Sequence, residues 1–180
     1  MRRLILAAGA LACCWLLVSA PAGCRRQRKV AVETIEDEPP ELASMLHVAD
    51  PKASLQLLHG FYDLEQNAWR WTKGKFSVTL RPPAGAAAAG AALELKMTVP
   101  DPVIERLKSV TLSANVNGTP IESETFNKPG EYTFRKDVPA KALEGEAVTV
   151  DFALDKFLEA GAVEQRELGI IVSTVGLVMK

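Results

Sequence analysis

The chain has 180 residues, of which 21 are Lys or Arg and 22 are Asp or Glu, so its formal net charge is −1. A nucleic-acid-binding protein would need a strongly basic surface, which this balance does not supply, and the 48% hydrophobic content excludes a wholly disordered chain. The length suits one domain with appended segments.

Residues 1–23 have the arrangement of a signal peptide. A pair of arginines precedes an apolar stretch over residues 4–20, and the sequence Pro-Ala-Gly-Cys follows at 21–24. That tetrapeptide resembles the lipobox of bacterial lipoproteins, in which the cysteine is acylated and becomes the new N-terminus. The resemblance implies that Cys24 is the lipidation site and that the lipid bilayer is a partner.

Two other processing routes stay open for the N-terminal segment. One is ordinary cleavage after Ala20, and the other keeps the apolar stretch as a single membrane anchor. All three routes place the rest of the chain outside the cytoplasm. In lipoprotein sorting, as the resemblance implies it, an Asp directly after the cysteine retains the protein in the inner membrane. Arg25 follows Cys24 here, which favours the outer membrane of a double-membrane bacterium.

Residues 24–52 are predicted to form a flexible tether. A basic cluster at 25–29 is followed by an acidic, proline-bearing run at 33–41, and neither half has the composition of a packed core. The basic cluster could contact anionic lipid head groups, and the alternative is a solvated spacer. A short helix is expected at residues 42–47.

Residues 53–180 are predicted to form an all-β domain. Leu93, Leu95, Met97 and Val99 alternate with polar residues, as a half-buried strand requires, and similar runs recur to the end of the chain. The dipeptide at 117–118, Asn-Gly, favours a tight hairpin turn. Eight or nine antiparallel strands in this length imply a jelly-roll-like β-sandwich. The segment at 82–90, rich in Pro, Ala and Gly, is expected to be a surface loop.

The predicted domain has few residues suited to metal binding or catalysis. All three cysteines lie at or before Cys24, so the domain contains no thiol, disulfide or cysteine-based metal site. The two histidines, His47 and His59, give no metal-ligand spacing, and a Ser-His-Asp triad would depend on His59 alone. No phosphate-binding glycine loop is present. We therefore expect no cofactor, no metal and no catalytic activity, with a glycan hydrolase as a remote alternative.

Trp69, Arg70 and Trp71 are the most unusual cluster of the domain. On a strand the two tryptophans point to one face and Arg70 to the other. If the indoles are exposed, they form a stacking platform for sugar rings, and if they are buried, they belong to the core. Arg70 could bind an acid on a neighbouring strand or a carboxylate ligand.

Several short motifs of the domain resemble those of galactose-binding-like jelly-roll modules in bacterial lipoproteins and in some cell-envelope glycosyltransferases. They are Gly60-Phe61-Tyr62, Trp69-Arg70-Trp71-Thr72, Leu80-Arg81-Pro82, Val116-Asn117-Gly118 and Arg166-Glu167-Leu168-Gly169. The resemblance covers most of residues 55–178 and implies a non-catalytic accessory module, although one fold serves many functions. Arg166 is expected to begin the last strand and to form a structural ion pair with an acid such as Glu65 or Glu164.

The sequence thus predicts a lipid-anchored protein of the cell envelope whose domain binds envelope carbohydrate or a protein partner. A structural or assembly role in an envelope complex is the alternative, in which an exposed sheet edge pairs with a strand of another protein.

Overall fold

The structure is a computed structural model and describes residues 41–180, which contain nine strands. Most of the longer strands follow the alternation of apolar and polar residues. The strands are β1 (Met45–His47), β2 (Leu57–Phe61), β3 (Arg70–Leu80), β4 (Ala91–Val99), β5 (Val110–Val116), β6 (Thr119–Phe126), β7 (Gly130–Val138), β8 (Val148–Leu154) and β9 (Ile171–Val178). Two short α-helices are α1 (Ala86–Ala89) and α2 (Asp101–Leu107), and 3₁₀ turns occupy Pro51–Leu55 and Ala140–Leu143.

The strands form two sheets, and all pairs of neighbouring strands are antiparallel. Sheet A has the order β7-β4-β9, with β1 and the first residues of β3 sharing the other edge of β9. Sheet B has the order β6-β5-β8-β3-β2. The long strand β3 belongs to both sheets, because Arg70 and Trp71 pair with β9 whereas the segment 75–80 pairs with β8. The predicted antiparallel β-sandwich is confirmed.

The core lies between the sheets and is built from the inward positions of the alternating strands. Leu93 and Leu95 of β4 are fully buried on one side, and Phe76 and Phe152 are buried on the other. The two phenyl rings stack with centroids 4.8 Å apart and planes 12° apart. Because these strands bury every second residue, their remaining side chains form two outer faces, one for each sheet.

The predicted hairpin at residues 117–118 is confirmed. It joins β5 to β6, and Asn117 and Gly118 have φ angles of 46° and 81°. Positive φ at both central positions is the requirement of the tight turn that Asn-Gly favours. The turn fixes the register of the two strands, with Val116 opposite Thr119.

Two local predictions are wrong. The segment expected to be a helix at 42–47 contains strand β1, which pairs with β9, so the fold begins inside the predicted tether. The buried side chain of Gln56 also ties this segment down, because it accepts from the amide of Ala43 and donates to the carbonyl of Ala43. The expected loop at 82–90 contains the four-residue helix α1, which buries Ala86.

Cys24, the signal peptide and most of the predicted tether lie outside the described residues. Within residues 41–180, no helix combines the length and apolar character needed to cross a membrane.

Candidate functional site

Trp69 is presented by a tight turn that precedes β3. The amide of Glu65 donates to the carbonyl of Trp69 at 2.9 Å, and the amide of Ala68 donates to the carbonyl of Glu65 at 3.1 Å. Gln66 and Asn67, at the tip, have φ angles of 50° and 54°, a left-handed conformation that asparagine tolerates better than most residues. The turn therefore brings the indole of Trp69 to the edge of sheet A.

Trp71, the second residue of β3, packs beside Trp69. The two indoles contact each other edge to face, with ring centroids 6.4 Å apart and planes 79° apart. Both side chains are partly buried, but Trp71 packs against the hydrophobic core whereas Trp69 lines a surface cavity. The pair is therefore divided between a supporting ring and a ring that is open to a ligand.

Arg70 points away from the two indoles and is used within the fold. Its Nε donates to the carbonyl of Val48 at 3.1 Å, and its Nη1 donates to the carbonyl of Tyr62 at 2.9 Å. These bonds join the chain after β1 to the start of the loop that carries Trp69. The guanidinium thus anchors the base of the Trp69 loop.

Arg166 anchors the same loop from another direction. Its Nη1 donates to Oε1 of Glu65 at 3.0 Å, its Nε donates to Oε1 of Glu164 at 2.6 Å, and its guanidinium lies 5.0 Å from the ring centroid of Tyr62. The two hydrogen-bonded carboxylates raise the pKa of Arg166 further above its ordinary value. The residue was expected to begin the last strand, but it lies in the loop before β9, which starts at Ile171.

Tyr62 is enclosed by charged groups. The guanidinium of Arg166 lies over its ring, and the ammonium of Lys73 lies 5.8 Å from the ring centroid. Burial raises the pKa of the Tyr62 phenol, the charge of Glu167 raises it further, and Arg166 opposes the rise. The phenol therefore stays neutral at physiological pH and acts as a packing surface for the loop.

A cavity of about 460 Å³ lies on the outer face of sheet A, beside Trp69. We call it the Trp69 cavity. Trp69 and Ala68 form one wall, and outward side chains of β4, β7 and β9 form the floor. The floor residues that carry polar side chains are Lys96, Thr98, Glu131, Thr133 and Ser173. Aromatic and polar groups thus converge on one surface.

The register of sheet A explains why these floor residues lie together. Lys96 is opposite Thr133, and Thr98 is opposite Glu131, so the four side chains form two neighbouring rows across β4 and β7. A β-bulge between β4 and β9 makes Ser173 an extra residue, and its Oγ donates to the carbonyl of Lys96 at 3.3 Å. Bulges of this kind change the direction of a side chain relative to its sheet.

The floor of the cavity was not predictable from the sequence. Each floor residue occupies an ordinary outward position of an alternating strand, and only the pairing of β4 with both β7 and β9 collects them. Within residues 41–180, neither Lys96 nor Glu131 belongs to an ion pair, although six other contacts between charged side chains are present. The sequence alone does not show which charged side chains are paired.

The geometry of sheet B does not assemble a Ser-His-Asp triad around His59. His59 is opposite Ser77, and Ser77 is opposite Asp151, so the serine lies between the two groups, whereas a triad needs the histidine there. Within the described residues, the Oγ of Ser77 has no hydrogen-bond partner. His47 lies apart from these groups, on β1, where its Nδ1 is 3.4 Å from Oγ1 of Thr174. No group of three potential metal ligands occurs within residues 41–180.

No protein-family model and no curated protein matches the chain. Among solved structures, it is similar to a family GH115 4-O-methyl-α-glucuronidase with specificity for decorated arabinogalactans, at 9% identity and a TM-score of 0.49; the match covers 79% of this chain but 18% of that one. A carbohydrate-binding module with specific mannan recognition matches at 13% identity and a TM-score of 0.46, over 77% of this chain and 97% of that one. A family 35 carbohydrate-binding module from Clostridium thermocellum matches at 10% identity and a TM-score of 0.41, over 74% of this chain and 97% of that one.

Proposed function

We propose that the domain is a non-catalytic carbohydrate-binding module that holds its ligand in the Trp69 cavity. The observation that carries this proposal is the position of the Trp69 indole, partly exposed and held at the side of a polar floor. The volume of about 460 Å³ lies within the range of ordinary ligand sites.

A sugar ring suits both parts of this cavity. Its C–H groups form an apolar surface that can pack on the face of an indole, where the π-electrons provide a region of negative charge. Its hydroxyl groups can donate hydrogen bonds to Glu131 and the threonines, and can accept them from the ammonium of Lys96. An apolar ligand would leave these charged groups without partners, which costs binding free energy.

The anchoring of the Trp69 loop supports the same function. Arg70 and Arg166 attach the loop to the rest of the fold through three hydrogen bonds, to the carbonyls of Val48 and Tyr62 and to the carboxylate of Glu65. A wall that is already fixed loses little conformational freedom when the ligand binds, and such preorganisation increases affinity.

We also propose that the domain is attached to the cell envelope through acylation of Cys24. The support is the order of the N-terminal residues: an arginine pair, an apolar stretch and the tetrapeptide at 21–24. Two or more acyl chains give stable membrane attachment. The domain would then hold envelope glycans, or glycans that reach the envelope, near the membrane surface.

The carbohydrate proposal is tested by calorimetric titration of the full chain with neutral hexasaccharides of glucose, mannose, xylose, galactose or N-acetylglucosamine. We expect binding to at least one of them, and a decrease in affinity of about tenfold or more in Trp69→Ala, because buried aromatic anchors dominate binding free energies. Trp69→Phe should recover part of the affinity.

The matched control for Trp69→Ala is Leu55→Ala, which removes an apolar side chain that is 66% exposed and lies outside the cavity. This variant should bind as the wild type does. Unchanged affinity in a folded Trp69→Ala protein would remove the Trp69 cavity from the function, and absence of binding to every hexasaccharide would refute the proposal.

The anchoring proposal is tested with Cys24→Ser. Metabolic labelling with a radioactive fatty acid should mark the wild-type chain, and the variant should lose both the label and its sedimentation with membranes. Retention of either property by the variant would contradict acylation at this position.

A further inference from the structure

A second depression lies on the opposite side of the sandwich, on the outer face of sheet B. It has a volume of about 550 Å³ and extends across β2, β3, β8, β5 and β6. Its lining includes the polar residues His59, Lys75 and Asp151 and the small residues Ser113 and Ala153. We call this depression the sheet B trough. It is formed by the strands themselves, without a loop.

Two buried polar atoms at this face have no hydrogen-bond partner within residues 41–180. They are Oγ of Ser77 and Oδ1 of Asn115. Ser77 and Asn115 are both opposite Asp151, on either side of it, so the three side chains form one row across β3, β8 and β5. Buried polar atoms are nearly always paired, because leaving one unpaired lowers stability.

The neighbouring row shows that hydroxyl groups on this face can be satisfied by the protein. There, Oγ of Ser113 donates to the carbonyl of Ala153 at 3.0 Å. The unpaired atoms of the Asp151 row are therefore a property of that row and not of the sheet. Asn115 also lines the trough, with its amide oxygen buried beneath the surface of this row.

The side chains of the trough define the chemistry of a suitable ligand. The exposed carboxylate of Asp151 needs hydrogen-bond donors, and Lys75 offers donors in return. Pro120 and Ile121 add an apolar border. Because the charges of Asp151 and Lys75 have opposite signs, the trough favours neither an anionic nor a cationic ligand. Hydroxyl groups on a neutral ring with C–H faces satisfy these conditions.

We propose that the sheet B trough is a second binding site for a neutral saccharide. This inference deepens the proposed function and takes its ligand class from it. Since the two sheets of a sandwich pack about 10 Å apart and the sites face in opposite directions, one short oligosaccharide cannot fill both. A domain with two such sites binds two saccharide chains at once and can bridge them.

The test uses whichever of the five neutral hexasaccharides binds most tightly. It is a calorimetric titration of the full chain with that hexasaccharide. The wild type should bind two molecules. Ala153→Trp places a large side chain in the trough and should reduce the stoichiometry to one. Thr149→Trp is the matched control, because it adds the same bulk on the same face of β8, about 13 Å away along the strand, and should keep two sites.

Asp151→Ala is the second variant, since a small change at an exposed position leaves the fold intact. It should weaken one of the two binding events by at least tenfold. Trp69→Ala should remove the other event and leave the trough occupied.

A wild-type stoichiometry of one that neither Ala153→Trp nor Asp151→Ala alters would overturn the trough alone. Binding that survives Trp69→Ala unchanged but disappears in Ala153→Trp would overturn the Trp69 cavity and keep the trough. Absence of binding to all five hexasaccharides would overturn both.

Discussion

The two outer faces of the sandwich form their candidate sites in different ways. On sheet A, a loop adds the wall, because Trp69 belongs to a turn that Arg70 and Arg166 hold against the sheet. On sheet B, the depression arises within the strands, and Ser113 and Ala153 contribute small side chains to its lining. The first site depends on loop anchoring and the second on strand register, so substitutions should separate them.

The two faces nevertheless share one core, and a core substitution should affect both. Phe152→Ala removes a ring that is 2% exposed and stacks on Phe76, so we expect the free energy of unfolding to fall by about 3–5 kcal/mol. Leu95→Ala, beneath the face of sheet A, should lower it by about 2–5 kcal/mol. Chemical denaturation followed by tryptophan fluorescence measures both values.

These losses should be global. If Phe152→Ala melts sheet B while the fluorescence of Trp69 and Trp71 stays native, the sheets unfold separately and the single-core description fails. A coincident transition by fluorescence and circular dichroism is the expected result for a small two-state domain.

Two serines on the face of sheet B should respond in opposite directions. Ser77→Ala removes a buried hydroxyl without a partner, so the free energy of unfolding should rise by about 1 kcal/mol. Ser113→Ala removes a hydroxyl that donates to Ala153, so the same quantity should fall by at most about 1 kcal/mol. Thermal and urea unfolding of the two variants provide the measurement. Destabilisation by Ser77→Ala would show that its hydroxyl is satisfied after all, and the contrast between the two rows would disappear.

The fold was predictable because its signals are local. Leu93, Leu95 and Met97 alternate with polar residues, and Asn117-Gly118 specifies a turn by its own backbone preferences. Strand β1 was not predictable in the same way. It has three residues, too few for a period to emerge, and its stability comes from pairing with β9, more than 120 positions away.

The candidate site was only partly predictable for a related reason. Trp69 and Trp71 were recognisable as a pair on one face, but their different surroundings depend on which strand lies beside each ring. The acids proposed to pair with Arg166, Glu65 and Glu164, do contact it. The floor of the Trp69 cavity comes from three strands whose order follows from the topology, and the sequence contains no local signal for that order.

The smallest expected effect concerns the anchor of the Trp69 loop, with Tyr62 as its reporter. The chain has two tyrosines, Tyr62 and Tyr132, so Tyr132→Phe leaves Tyr62 as the sole phenol in an absorbance titration. Burial raises the pKa of Tyr62, so its midpoint in the folded protein should lie above the value of about 10 found in the guanidinium-denatured chain. As the pH rises above about 10, the unfolded state loses this proton first, and the free energy of unfolding should decline.

Arg166→Ala, added to Tyr132→Phe, should raise the Tyr62 midpoint further, because Arg166 favours the charged phenolate. Lys156→Ala is the matched control, since its ammonium binds Ser109 and its removal should leave the midpoint unchanged. The same Arg166→Ala substitution should weaken saccharide binding at the Trp69 cavity and leave the sheet B trough unaffected, because only the first site depends on the anchored loop. A Tyr62 midpoint that falls in Arg166→Ala, or equal losses of binding at both faces, would show that Arg166 does not act through this loop.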